Sequence, residues 1–146
     1  MQPVNGSKGR LVVNITFPPP LPRVPEGDYT VAYVKHEYKT MFAGQPKLIL
    51  TFRIIEMGEY FGTEVQRFYN VRRLAKSYRP LPKADLTREM QNVFGVRSLD
   101  GISILKELKK SELIVEIRDV KTSSRQEELT DLNSYSLVAK VKGKAR

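Results

Sequence analysis

The chain has 146 residues, enough to bury a sizeable core as one domain, and 40% of them are hydrophobic. Its 25 Lys and Arg against 16 Asp and Glu leave a formal charge of +9, the balance of a protein that meets a polyanion. With no cysteine, disulfides, thiolate metal sites and thiol catalysis are excluded, and with His36 as the one histidine no zinc-type site, histidine triad, metal or cofactor is expected.

No run of apolar residues is long enough to span a bilayer, and the N-terminus lacks the compact apolar segment of a secretory signal, so the cytoplasm is the expected compartment. Residues 1–25 read as an N-terminal arm. Leu11 to Phe17 has the pattern of a short edge strand, and Pro18, Pro19, Pro20, Pro22 and Pro25 then form a stiff connector that cannot continue a sheet. Folding proper is expected from Glu26-Gly27 to residue 142, with 143–146 as a basic tail.

Within that domain, Tyr29, Val31 and Tyr33 alternate with Thr30, Ala32 and Val34 in a first strand. Phe42 to Pro46 reads as a turn. Lys47 to Glu56 is the strongest strand pattern: Leu48, Leu50, Phe52 and Ile54 form one row, with Thr51 and Arg53 facing the other way. The glycine-bounded connection Gly58 to Gly62 leads into a third strand, Thr63 to Arg72, and the two predict a hairpin. Lys76 to Lys83 contains Pro80 and Pro82 and is expected to be irregular. Asp85 to Phe94 predicts a helix with Leu86, Met90, Val93 and Phe94 on one face, Asp85 as a cap and Gly95 as the stop. Ile102 to Lys110 predicts one or two further helical turns. Leu113 to Arg118 and Tyr135 to Lys142 alternate as strands four and five, separated by the polar loop Gln126 to Ser134. Three strands, a helical segment and two strands is the order of a mainly β fold, the five-stranded OB-fold Greek-key barrel.

Basic and aromatic residues are interleaved where such a barrel has its groove. From Val65 to Ala84 there are Arg67, Arg72, Arg73, Lys76, Arg79 and Lys83, with Phe68, Tyr69 and Tyr78 among them and no acidic residue. Single-stranded nucleic acid requires this mixture, because cations follow phosphates and aromatic faces stack on unpaired bases. Alternation puts Arg67 and Tyr69 on one face with Val65 and Val71, a pair expected to meet the ligand, and sends Phe68 into the barrel. A second cluster, Lys35, His36, Tyr38, Lys39, Phe42 and Lys47, surrounds the loop between strands one and two. Arg53 on the polar face of strand two joins it. Lys121 and Arg125 open the loop between strands four and five, and Lys140, Lys142, Lys144 and Arg146 extend the charge to the C-terminus. His36 is expected at the surface or in the groove, with no metal role.

Glu26 to Asn70 resembles the OB-fold single-stranded DNA-binding proteins of phages and integrative or conjugative mobile elements. The resemblance lies in Pro25-Glu26-Gly27-Asp28-Tyr29, the Leu48/Leu50/Phe52/Ile54 strand, Gly58-Glu59-Tyr60-Phe61-Gly62 and Arg67-Phe68-Tyr69-Asn70. It implies protection of DNA during replication, recombination or transfer, and assigns no catalytic residue. The basic end, Val141 to Arg146, departs from the acidic C-terminal tip of bacterial housekeeping single-stranded DNA-binding proteins.

The sequence contains neither a G-x-x-x-x-G-K phosphate loop nor a G-x-S-x-G nucleophile elbow. Asp119-Val120-Lys121 has the acid-x-Lys spacing of a metal-dependent nuclease, but Glu37-Tyr38-Lys39 and Glu107-Leu108-Lys109 share it, so the spacing discriminates nothing. The expectation is a non-enzymatic binder of single-stranded DNA, with no membrane partner and with homo-oligomerisation open. RNA binding, or a protein-interaction barrel such as an inhibitor of host defence, is the alternative.

Overall fold

The computed structural model describes residues 21–40, 45–73, 78–79, 84–121 and 134–145. The architecture is mainly β; among the described residues there are five antiparallel strands in one sheet and two short helices. The strands are β1 (Gly27–Thr40), β2 (Pro46–Ile54), β3 (Glu64–Asn70), β6 (Glu112–Val120) and β7 (Tyr135–Lys144), in the spatial order β3-β2-β1-β6-β7. Two-residue strands β4 (Arg72–Arg73) and β5 (Tyr78–Arg79) form a separate small ladder. Regular pairing therefore enters the segment expected to be irregular, because Tyr78 and Arg79 precede the prolines and keep their backbone donors.

β1 is long enough to serve two neighbours. Its first half, Gly27 to Ala32, pairs with β6, and Val31 to Thr40 pairs with β2. Between Tyr33 and Lys35 the register slips by one residue. This bulge reverses the alternation, so His36 and Tyr38 follow Tyr33 on the core side while Lys35 and Lys39 turn outward.

The core is built from one row of each strand: Val31 and Tyr33, then Leu48, Leu50, Phe52 and Ile54, then Val65 and Tyr69, then Leu113, Val115 and Ile117, then Val138 and Val141. Tyr33 meets Phe52 edge-on, with centroids 6.3 Å apart. Helix α1 (Asp85–Phe94) closes the core with Leu86, Met90 and Val93, and α2 (Ile104–Lys109) adds Leu108. Gly95 ends α1 in the left-handed conformation at φ 65°, its N–H donating to Gln91 O. The N-cap is Ala84, with no side-chain bond; Asp85, expected to cap, is already the first helical residue and pairs with Arg88.

Two boundaries differ from expectation. The core begins before Glu26: Val24 is buried, its N–H donates 2.8 Å to Ser136 Oγ, and Pro22 O accepts the Ser136 N–H. The barrel expected from the element order is not closed by a ladder among the described residues, since β3 and β7 end the sheet. The alternating directions make these edges parallel to each other. Helix α1 packs on both, and one side chain from it bridges them. Glu89 is buried within the helix's apolar stripe. Its Oε1 accepts Tyr69 Oη at 2.8 Å, Val141 N at 2.8 Å and Arg67 Nε at 3.3 Å, while Oε2 accepts Arg67 Nη2. A carboxylate thus satisfies an edge-strand N–H that a closed ladder would have paired.

Candidate nucleic-acid interface

Register sorts the predicted site residues onto two faces. On the outer face of β1-β2-β3, successive cross-strand rows are Lys39–Lys47–Asn70, Glu37–Ile49–Phe68 and Lys35–Thr51–Gln66, with Arg53–Glu64 closing the series. The rows lie about 7 Å apart, two residues along each strand. Lys35, Lys39 and Arg53 are exposed, while Lys47 and Phe68 are half-buried. Phe68 is therefore an outward aromatic with Lys39 and Lys47 in the row on one side and Lys35 in the row on the other. Ile49 and Thr51, in the middle strand, are buried.

Some of the charge is already held. Arg53 pairs with Glu64 at 2.8 Å, Lys39 lies 3.7 Å from Glu37, and Lys47 donates to the Asn70 amide oxygen. These exposed contacts are weak and exchangeable, so they orient the cations without consuming them. The other half of the sheet is balanced. There Lys142 pairs with Asp28 at 2.9 Å, Arg118 with Glu116, and Arg23 with Asp119 at 3.3 Å. Asp119, the one candidate nuclease carboxylate in a strand end, also donates its backbone N–H to Glu26 Oε2 at 2.9 Å. Among the described residues no group of three His, Asp or Glu is arranged to hold a metal ion.

Two predicted site residues belong to the interior. Tyr69 is 1% exposed, so its ring offers no face to a base. Its hydroxyl is bound by Glu89, and burial, with the Glu89 charge next, pushes its pKa well above 10. Arg67, expected to follow phosphates, lies over the Tyr69 ring at 4.5 Å and forks onto Glu89. Burial pulls its pKa down, but the Glu89 hydrogen bond and charge outweigh this and raise it. The face assignment of both residues follows the strand's alternation, and the exchange is with Phe68: the ring expected inside is outside. Alternation alone cannot tell which face of a strand meets the core when both carry an aromatic.

Tyr38, 40% exposed, lies on the core-side face beyond the end of the core, edge-on to His36 at 5.9 Å, and His36 Nδ1 is 3.0 Å from Tyr33 Oη. This aromatic group is on the opposite face of the β1–β2 ribbon from Phe68. Arg72 is exposed just beyond buried Val71. Arg73, Tyr78 and Arg79 are described through their backbone ladder. Lys121 is exposed past the end of β6, which pairs with the start of β1, whereas Lys39 and Lys47 lie at the other end of β1. Phe42, Lys76, Lys83 and Arg125 lie outside the described residues, as do residues 1–20 and Arg146.

The outward placement of Phe68 and the buried contacts of Glu89 are the two features that sequence reasoning missed. Glu89 had a signal: it falls in the Leu86–Met90–Val93 stripe, where a lone carboxylate implies a buried partner. Comparison with known proteins finds no matching family model, no matching curated protein and no matching solved structure.

Proposed function

We propose that this chain is a non-catalytic binder of single-stranded nucleic acid. Its track is the outer face of β1-β2-β3, with Phe68 as the base-stacking ring and Lys35, Lys39, Lys47 and Arg53 following the phosphates. The observation that carries the reading is the outward half-buried Phe68, with Lys39 and Lys47 in the row on one side and Lys35 in the row on the other, on a strand whose other face is core. A duplex offers phosphates but no free base faces, so an aromatic placed among cations favours unpaired strands. The strand order supports the finer fold reading. β3-β2-β1-β6-β7 with parallel edges is the order that an OB barrel would have if opened between its third and fifth strands, and in OB-folds strands two and three form the ligand face. The resemblance to single-stranded DNA-binding proteins makes DNA the proposed ligand, in replication, recombination or transfer of a phage or mobile element.

Fluorescence anisotropy with labelled oligothymidine, an RNA of equal length and an equal-length duplex tests this. The single DNA strand should bind at least about tenfold tighter than the duplex, and Phe68→Ala should weaken it by about 1–3 kcal/mol with an unchanged melting curve. Equal or tighter duplex binding overturns the reading. Tighter RNA binding overturns the choice of DNA.

A further inference from the structure

Two carboxylates stand in the four cross-strand rows of the outer face, and they differ in what holds them. Glu64, in the last row, is bound by Arg53 at 2.8 Å. Glu37 stands inside the series, in the same row as Ile49 and Phe68. Its ion pair with Lys39 is long, 3.7 Å, and both side chains are open to water, 57% for Lys39 and 38% for Glu37. Such a contact is weak and exchanges readily, so the carboxylate can accept donors from a ligand instead.

A carboxylate in the row of a stacking ring works against a phosphate chain, because like charges repel. Lys39 and Lys47 in the row on one side and Lys35 in the row on the other draw the phosphates away from it. What reaches Glu37 is then the edge of a base. Glu37 and Phe68 are two strand spacings apart, about 10 Å. One purine on the ring and one hydrogen bond to the carboxylate span that gap.

Base edges differ in what they offer a group that only accepts. Guanine alone carries two adjacent donors, N1–H and the 2-amino group, which match the two oxygens of a carboxylate. Thymine places N3–H between two carbonyl oxygens, which a carboxylate repels. Adenine and cytosine each offer one amino group beside an unprotonated ring nitrogen. The neighbouring row completes the match, since Lys39 and Lys47 supply donors for O6, the guanine acceptor next to N1.

We infer that the Phe68 row is a guanine subsite, in which the base stacks on Phe68 and gives N1–H and a 2-amino N–H to the Glu37 carboxylate. The inference rests on the outer face being the track for single-stranded nucleic acid, and adds to it a preference for guanine at one position.

Oligothymidines of equal length with one central guanine, hypoxanthine or adenine, and the plain strand, test the two readings in one anisotropy series. A lone guanine avoids the four-stranded structures of guanine runs. The guanine strand should bind about fivefold or more tighter than plain oligothymidine, the low end for a bidentate base contact. Adenine should gain less, from stacking alone. Hypoxanthine keeps N1–H but lacks the 2-amino group, and should lose most of the gain. Glu37→Thr, which retains strand propensity, should act in opposite directions at an unchanged melt. Plain oligothymidine should bind tighter as repulsion is removed, and the guanine strand weaker as its acceptor is lost. A purely structural role for Glu37 would weaken both. Guanine and plain strands bound alike, a gain that adenine matches, or a preference that survives Glu37→Thr overturns the subsite and leaves oligothymidine binding standing. No binding to any of the four strands overturns the single-strand reading and the subsite with it.

Discussion

Replacing Glu89 by alanine should bring the protein close to the limit of folding. The carboxylate is buried and takes four donor contacts from three residues on two strands: two from Arg67, one from the Tyr69 hydroxyl and one from the Val141 N–H. Arg67 is itself largely buried, its side chain 13% exposed, and among the described residues Asp85, 3.7 Å away, is its only other carboxylate partner. Removing one partner of a buried ion pair costs about 3–5 kcal/mol, because the remaining charge stays out of water. The total stability of such a domain is about 5–15 kcal/mol. At a urea slope near 2 kcal/mol/M the midpoint should fall by about 1.5–2.5 M. Arg67→Ala with Glu89→Ala should cost less than the two single changes added, by about 1–3 kcal/mol, since the pair is coupled. The double variant should still be destabilised, because the Tyr69 hydroxyl and the Val141 N–H keep no acceptor, at about 1–3 kcal/mol each. A Glu89→Ala protein within about 1 kcal/mol of the parent would refute the assignment of that carboxylate as the bridge between β3 and β7.

Tyr69→Phe should change stability with pH. The Tyr69 pKa is raised in the fold, so its proton is held where the unfolded chain has lost it. Its contribution is complete below pH 10 and disappears as pH climbs through the folded value. The phenylalanine variant should therefore lose about 1 kcal/mol at neutral pH and show a shallower decline above pH 10 in denaturant titrations. Some alkaline decline remains from Tyr29 and Tyr33, which burial also raises. For binding, log K against log salt should slope at roughly −2 to −3.5, and Lys47→Ala should reduce that slope by up to about 0.7; a flat plot would exclude phosphate contact as the source of affinity. Ser136→Ala should cost about 1–3 kcal/mol, because the buried Val24 N–H loses its acceptor. An unchanged melt would mean the segment before Glu26 is not tied to β7 by that hydroxyl.

Alternation located the sheet because most of its strands carry one apolar row. Leu48, Leu50, Phe52 and Ile54 read as one face and form one face, and the same holds for Leu113, Val115 and Ile117. The α1 stripe and its stop at Gly95 were equally open to reading, since helical period and glycine chirality are local properties. What was hidden depends on pairing. The bulge after Tyr33 adds one residue to β1 without any local mark, yet it decides that Lys35 faces outward with Lys39 and that His36 and Tyr38 do not. The exchange of Phe68 for Tyr69 has the same origin. Either aromatic fits a core, and the choice is made by Glu89, twenty residues away, whose carboxylate needs a hydroxyl and a guanidinium in that position.

β3 therefore divides its labour between its two faces. Val65, Arg67 and Tyr69 face inward, where they are bound to the rest of the fold, and Gln66, Phe68 and Asn70 face outward beside the lysines of β1 and β2. A substitution at Tyr69 should reach binding only through the fold, since its ring is enclosed. One at Phe68 removes a half-buried ring that lies outside the core cluster, so it should reach binding at a smaller cost to the fold. Adjacent residues on one strand are thus the sharpest test of where the interface lies. Phe68→Ala and Tyr69→Phe, compared in the same melts and the same oligothymidine titrations, should show opposite patterns. Loss of binding at full stability in the Tyr69 variant, with Phe68→Ala binding normally, would move the ligand to the other face of the sheet.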